Sequence, residues 1–240
     1  MRIPRIYIDA ELTAGRELAL PADRLNYLRN VLRLRPEAQV LAFDGRGQEA
    51  EAVFVPEKRS GSLRIGLVRA RSAESPLQLH LLQGVSRGER MDVVVQKSVE
   101  LGVQRISPVR MARTVVDLKN DRADRRLARW REIAINACEQ CGRNHLPVID
   151  PVASLDDALD LVAPDADRWV LHTAPGAPTA GGQGRQAALV IGPEGGLTDD
   201  EVARCQASGF APLWLGPRIL RTETAAIAAL AIMQARFGDM

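Results

Sequence analysis

The sequence is bounded first by what it lacks. No apolar run approaches the ~20 residues that a membrane-spanning helix needs, and the opening MRIPRIYIDAE has none of the apolar core of a secretory signal. The expectation is therefore a cytoplasmic protein. Three cysteines, an odd number, argue against a disulfide framework. Cys138-x-x-Cys141-x-x-x-His145 has no second CxxC pair to complete the four ligands of a structural zinc, so no metal is expected. No G-x-G-x-x-G follows a strand and there is no Walker lysine motif, which argues against dinucleotide and P-loop sites. Net charge is only +2 over 240 residues. It is unevenly spread: residues 1–71 hold 13 Lys/Arg against 9 Asp/Glu, and the remainder 19 against 21. A mildly basic first module permits nucleic-acid contact without demanding it.

What is present begins with short alternating segments. Residues 5–8, 39–43 and 51–55 alternate apolar and polar side chains, Asp44-Gly45-Arg46-Gly47 reads as a hairpin turn, and residues 62–68 supply another strand. Several short strands separated by turns suggest a small β-barrel. One helix interrupts them, opening at Pro21-Ala22-Asp23 and running to about Leu32, with Leu25, Leu28 and Leu32 on one face. It carries Arg24, Asn26, Tyr27, Arg29 and Arg33 on or near its exposed side. That face is either simply solvated or an RNA surface, with arginines on phosphates and Tyr27 stacking on a base. The polar stretch 71–76, ending in Pro76, divides a first domain, 1–72, from a second, 73–240.

The second domain alternates strands with helices, which predicts a parallel α/β sheet. Strands are expected near 77–82, 106–109, 169–172, 187–191 and 213–215, with Gln83-Gly84-Val85 turning the first. A helix over 91–101 places Val93, Val94, Lys97, Ser98 and Leu101 on one face, and Gly102 stops it. A long helix over 122–141 turns Leu127, Trp130, Ile133, Ala134 and Ala137 inward and five arginines outward. Residues 175–186, rich in glycine and alanine, read as a mobile loop.

The chain is organised around residues 187–201, AALVIGPEGGLTDDE, and their echo at 215–225, LGPRILRTETA. Each has a sharp Gly/Pro turn between a buried strand and a helix. Thr198 and Glu201 form an S/T-x-x-E capping box that starts a helix near Asp199, and Ser208-Gly209 ends it. Two glycine turns at neighbouring strand ends make a crevice at the carboxyl edge of a sheet, where open α/β folds bind ligands. Each turn sets a charged residue, Glu194 or Arg221, beside glycine-exposed backbone.

GPEGGLTDDE and LGPRILRTETA resemble the two signature motifs of the RsmE family of SPOUT methyltransferases. Residues 96–103 are similar to that family's QK-x-x-ELG-V element, and Glu139-Gln140-x-x-Arg143 to its EQ-x-x-R motif. The stretch 24–33 resembles an R-x-x-H-x-x-x-VLR element, with Asn26 or Tyr27 where the family has histidine. The resemblance implies a PUA-like RNA-binding β-barrel followed by an α/β SPOUT domain tied in a C-terminal trefoil knot. It implies S-adenosylmethionine as cofactor, N3 of a uridine in small-subunit (16S) ribosomal RNA as target, and a homodimer through the knotted domain, to which the alanine-rich 222–237 helix would contribute.

Applied residue by residue, it names Glu139, Arg143, Glu194 and Arg221 as catalytic. Arginine suits the oxygens of a uracil anion because it keeps its charge and planar fork, and the glutamates suit proton acceptance or the orientation of those arginines. The cofactor pocket is expected to use Leu171, His172, Thr173, Ile191, Gly192, Pro193, Gly195, Gly196, Leu215, Gly216, Ile219, Leu220, Arg221, Thr224 and Ala225, largely through backbone groups. RNA contacts are expected at Arg5, Arg24, Tyr27, Arg29 and Arg33. Two other classes compete: a non-catalytic RNA-binding assembly factor, and a nucleotide hydrolase using the capped helix at Thr198 as a phosphate site.

Overall fold

The structure, a computed structural model, describes residues 3–116, 121–172 and 184–240, with Asp121 described by its backbone only. The chain forms two compact units. The first comprises Met1–Glu74 together with Cys138–Leu146, the second Ser75–Ala137 with Pro147–Met240.

The first unit holds β1 (Arg5–Tyr7), β2 (Glu17–Ala19), α1 (Ala22–Asn26), β3 (Gln39–Phe43), β4 (Gln48–Pro56) and β5 (Gly61–Ala70). They make a five-stranded sheet in the order β1-β3-β4-β5-β2, parallel between β1 and β3 and antiparallel elsewhere. Alternation in β4 turns Ala50, Ala52 and Phe54 inward, where they meet Ile6, Val40, Leu63 and Leu28 in one core. The β3–β4 hairpin turn is closed by Asp44, whose Oδ1 accepts from the amides of Arg46 (2.7 Å) and Gln48 (3.0 Å). β2, a half-exposed ELA segment, is too short to register as an alternating pattern.

α1 continues into a π-helical turn, Tyr27–Val31. Leu32 N–H bonds Tyr27 O, and Leu34 N–H bonds Leu28 O (both 2.9 Å). Arg33 then takes φ +52°, the left-handed stop position that glycine usually fills. One expectation for this helix changes. Leu25 and Leu28 are buried as expected, but so is Arg24, which faces the carboxylate of Glu139 at 3.5 Å instead of solvent.

The second unit is a parallel sheet in the order β12-β10-β11-β6-β7-β8, with β9 also on β7. Its strands are β6 (Gln78–Gly84), β7 (Val103–Arg110), β8 (Val148–Ile149), β9 (Ala153–Ser154), β10 (Asp167–Leu171), β11 (Gln186–Ile191) and β12 (Ala211–Leu213). Its helices are α2 (Glu89–Glu100), α3 (Asp121–Cys141, assigned to this unit as far as Ala137), α4 (Leu155–Asp160), α5 (Asp199–Ala207) and α6 (Thr222–Phe237). Residues Ala187 to Ile191 of β11 are all buried, as a strand covered on both faces requires. The capping box at Thr198 and Glu201 is formed in both directions.

Three expectations shift. Gln83 and Gly84 are the last residues of β6, not its turn. β12 lies two residues earlier than 213–215, because Phe210 fills the core beside Cys205 and sets the register. The buried face of α2 is Met91, Val94, Val95, Ser98 and Val99, while Val93 is 37% exposed and Lys97 pairs outward with Glu100 at 2.8 Å. The buried stripe runs one residue out of phase with the stripe expected from sequence. Of the expected 175–186 loop, residues 175–183 lie outside the described residues. Among the described residues no helix is long and apolar enough to cross a membrane.

Candidate active site

In the second unit, the ends of β10 and β11 and the segment before α6 enclose a cavity of about 620 Å³. Leu171 and His172 line it from β10. Ile191 through Leu197 line it from the turn after β11, and Ile219 through Glu223 and Ala225 from the second glycine segment. This is the carboxyl edge of the sheet, where parallel α/β folds place their ligands.

The turn after β11 is held by close backbone approach. A Cβ on Gly84 would lie 2.5 Å from Pro193 N, and one on Gly192 would lie 3.0 Å from Gly196 C. Gly196 adopts φ +71° and donates its amide to Pro193 O at 2.9 Å. Arg113 caps the turn, donating to Gly195 O (2.8 Å) and Leu197 O (3.3 Å). Wholly buried Gln83, at the end of β6, ties the two glycine segments together. Its Nε2 donates to Thr222 Oγ1 (3.0 Å), to Gly84 O (3.0 Å) and more weakly to Gly192 O (3.4 Å), while Thr222 Oγ1 donates to Gly192 O (2.7 Å).

Glu194 is pinned by one oxygen, its Oε1 accepting from the Arg87 amide (2.8 Å) and from Arg90 (3.0 Å). Burial works to raise its carboxyl pKa, but these donors together with a backbone amide of its own residue outweigh burial and hold it below the usual carboxylate range. Its Oε2 is buried without a hydrogen-bond partner among the described residues. Arg221 stands at the N-cap of α6, exposed and on the cavity wall.

Among the residues expected in the pocket, Leu171, His172, Ile191, Gly192, Pro193, Gly195, Gly196, Ile219, Leu220, Arg221 and Ala225 line this cavity. Leu215, Gly216 and Thr224 are not among its described lining residues. Gly216 shapes the approach instead, turning at φ +99°. Thr173 lies outside the described residues. Arg90, Arg113, Gln83, Thr222 and Glu223 had not been singled out. A glutamine closing the apolar strand LQLHLLQG was a readable signal for Gln83; nothing in the sequence marks Arg113.

Glu139 and Arg143 belong to the first unit. Both are buried. Glu139 Oε1 accepts from the Tyr7 amide at 3.0 Å and lies 3.5 Å from Arg24 Nη1. Arg143 Nε contacts both oxygens of Glu74 at 3.0 and 3.1 Å. Beside them Arg5 pairs with the buried Glu49 (3.0 Å) and also donates to Asn144. Burial alone would raise the Glu49 carboxyl, but Arg5, Asn144, Arg69 and Arg71 outweigh it and bring it down to about 2. Of the five expected RNA contacts, Arg5 and Arg24 are thus committed to buried ion pairs. Tyr27 and Arg29 are partly exposed, Arg29 donating to Glu57 O and to Ser60 O (2.8 Å), and Arg33 is exposed. No group of three or more His, Cys, Asp or Glu among the described residues could hold a metal.

The sequence matches two family models, an RNA methyltransferase domain over residues 73–234 and an RNA methyltransferase PUA domain over 20–65. It is 32% identical over 249 aligned residues to the ribosomal RNA small subunit methyltransferase E of Buchnera aphidicola (from Schizaphis graminum), covering 100% of this chain and 98% of the relative. The Bacillus subtilis protein of the same name is 31% identical, covering 88% and 87%. A crystal structure of the Neisseria gonorrhoeae ribosomal RNA small subunit methyltransferase E bound to S-adenosylmethionine superposes with a TM-score of 0.91 at 38% identity over all of both chains. Full-length likeness in sequence and fold, with a glycine-walled cavity at the sheet's carboxyl edge, leaves one assignment: the chain belongs to the RNA methyltransferase family, among the RsmE-type small-subunit ribosomal RNA methyltransferases.

Proposed function

We propose that this rRNA methyltransferase transfers the methyl group of S-adenosylmethionine to N3 of a specific uridine in 16S ribosomal RNA. The cavity carries the reading. Its volume of about 620 Å³ suits a ligand of nucleoside size, its walls offer glycine backbone, and two carboxylates on it have buried oxygens without donors among the described residues. That fits a cationic, donor-rich adenosyl compound, and the Neisseria relative was solved with S-adenosylmethionine. When bound, the cofactor supplies an electrophilic methyl: the N3–carbon bond forms as the sulfur–carbon bond breaks, and the N3 proton passes to an acceptor.

Arg221, exposed on the cavity wall, is the proposed donor to the uracil oxygens that gain charge as N3 is deprotonated. Glu194 is a weak base, because its carboxyl is held low and one oxygen already serves Arg87 and Arg90. Its proposed role is to fix the segment carrying Arg90 against the glycine turn. Glu139 and Arg143 keep the acceptor and anion-stabilising roles that their motif implies, on the strength of that motif.

The domain assignment is part of the proposal: 1–72 as a PUA-like RNA-binding module presenting Tyr27, Arg29 and Arg33, and 73–240 as a SPOUT domain with a C-terminal knot. The knot is supported by the sheet order, in which the last strand passes β11 and pairs with β10. A homodimer is supported by α6. Its Ala225, Ala226 and Ala229 are buried, while Ile227, Ala228, Ala231 and Ile232 on other sides remain half-buried, giving a helix apolar nearly all round. The substrate would place the enzyme in the cytoplasm.

The test is transfer of labelled methyl from S-adenosylmethionine to purified small ribosomal subunits, with the modified position mapped. Label at N3 of a uridine is expected. Label on another atom would refute the N3 assignment. Cofactor binding without any transfer would point to a different substrate, and neither binding nor transfer would favour a non-catalytic assembly factor.

A further inference from the structure

Glu223 is the second residue of α6 and lines the cavity. Its Oε2 is buried and has no hydrogen-bond partner among the described residues. An acidic residue in the first turn of a helix has an ordinary explanation, favourable interaction with the helix N-terminus. That explanation does not require one carboxylate oxygen to be shut away from both water and donors, an arrangement that costs free energy when nothing compensates it. Several donors in and behind the cavity wall are engaged elsewhere, though Arg221 is not among them. The Thr222 hydroxyl is spent on Gly192 O, the Gln83 amide on Thr222 and Gly84, Arg113 on Gly195 and Leu197, and Arg90 on Glu194. Glu223 thus presents a buried, unpartnered carboxylate oxygen on the wall of a cavity where Thr222, Arg113 and Arg90 already serve other acceptors.

We infer that Glu223 is a ligand-binding residue of this cavity, its carboxylate accepting a hydrogen bond from a donor group on the bound cofactor. The inference rests on the reading of the cavity as the S-adenosylmethionine site. Two parts of that molecule carry such donors, the ribose hydroxyls and the α-ammonium of the methionyl arm. Both persist in the demethylated product, so Glu223 contributes to holding cofactor and product alike and not to the transfer step itself.

Calorimetric titration of the full-length wild type, Glu223→Gln and Glu223→Ala with S-adenosylmethionine, S-adenosylhomocysteine and 5′-methylthioadenosine tests this. A hydrogen bond to a charged acceptor predicts a loss of about 10- to 100-fold in affinity for the first two ligands in both variants. The isosteric glutamine guards against misfolding, and an unchanged melting temperature in the unliganded variant is expected to accompany its weaker binding. Loss that extends to 5′-methylthioadenosine, which keeps the ribose but has no ammonium, identifies the hydroxyls as the donor. Loss confined to the two amino-acid-bearing ligands identifies the ammonium. Affinities within twofold of wild type in both variants overturn the role of Glu223. Failure of the wild type itself to bind S-adenosylmethionine or S-adenosylhomocysteine overturns the reading of the cavity, and this inference with it.

Discussion

Replacing Gln83 by leucine separates what holds the fold from what shapes the cavity. Gln83 is 0% exposed and its Nε2 makes two bonds of 3.0 Å, to Thr222 Oγ1 and Gly84 O. At about 0.5–1.5 kcal/mol net for each, they contribute roughly 1–3 kcal/mol. Against them stands Oε1 of the same side chain, buried with no partner among the described residues, at a cost of about 1–3 kcal/mol. The acceptors left behind are not orphaned: Gly192 O keeps the Thr222 hydroxyl (2.7 Å), and Gly84 O keeps Ser86 Oγ (3.3 Å). The two sums nearly cancel, so Gln83→Leu should leave stability within about 1–2 kcal/mol of wild type, a melting shift of roughly 8 °C or less for a chain of this size. The tie between the glycine segments is lost all the same, and S-adenosylmethionine should bind about tenfold more weakly. Differential scanning fluorimetry and titration calorimetry on the same samples read both quantities. A melting point lowered by more than about 10 °C with unchanged affinity would refute the reasoning, since Gln83 would then be holding the fold and not the cavity.

Gly84→Ala forces a Cβ to within 2.5 Å of Pro193 N; overpacking against backbone should cost about 1–3 kcal/mol and weaken cofactor binding. Gly66→Ala meets Glu51 O at 3.0 Å in the other unit and should leave binding unchanged, both effects being read by melting curves and calorimetry. His80 lies in a chain from its Nε2 to Ser107 Oγ (2.7 Å) and on to Asp150 (2.5 Å). Burial first, and the charge of Arg105 second, push it down to about 4 from an ordinary 6.5. A depressed histidine favours the folded state fully above pH 6.5 and loses that contribution as pH falls towards 4. Melting at stepped pH should therefore show about 3 kcal/mol lost over that window and a flatter profile in His80→Gln; an equal slope in both proteins would exclude His80 as the cause.

Much of the second unit was legible because its signals are local. The unbroken apolar run at Ala187 to Ile191, the capping box at Thr198 and Glu201, and the span of α6 each follow from a few adjacent residues. The short elements were not legible. β8 and β9 are two residues each, and their strand character comes from pairing with β7, which no local pattern encodes. The phase error in α2 has a similar origin. Val93, Val94 and Val95 are consecutive and equally apolar, and only packing selects Val94 and Val95 for burial. Within the cavity, residues that act through backbone could be read from glycine and proline. Arg90 and Arg113, which reach in from elsewhere in the chain, could not, because their contacts to Glu194 and Gly195 span 104 and 82 positions in sequence.

The burial of Glu139 and Arg143 bears on how their chemistry can be read. Glu139 accepts from the Tyr7 amide and pairs with Arg24, and Arg143 grips Glu74. Removing one member of a buried ion pair leaves the other charge uncompensated, which typically costs about 3–5 kcal/mol, a large fraction of the stability of an ordinary domain. Lost activity on truncating either residue therefore mixes damage to the first unit with any loss of proton transfer or anion stabilisation. Arg221 carries no such ambiguity, being exposed at the head of α6. Its replacement reports on the reaction almost alone, which makes it the sounder starting point for assigning catalytic roles.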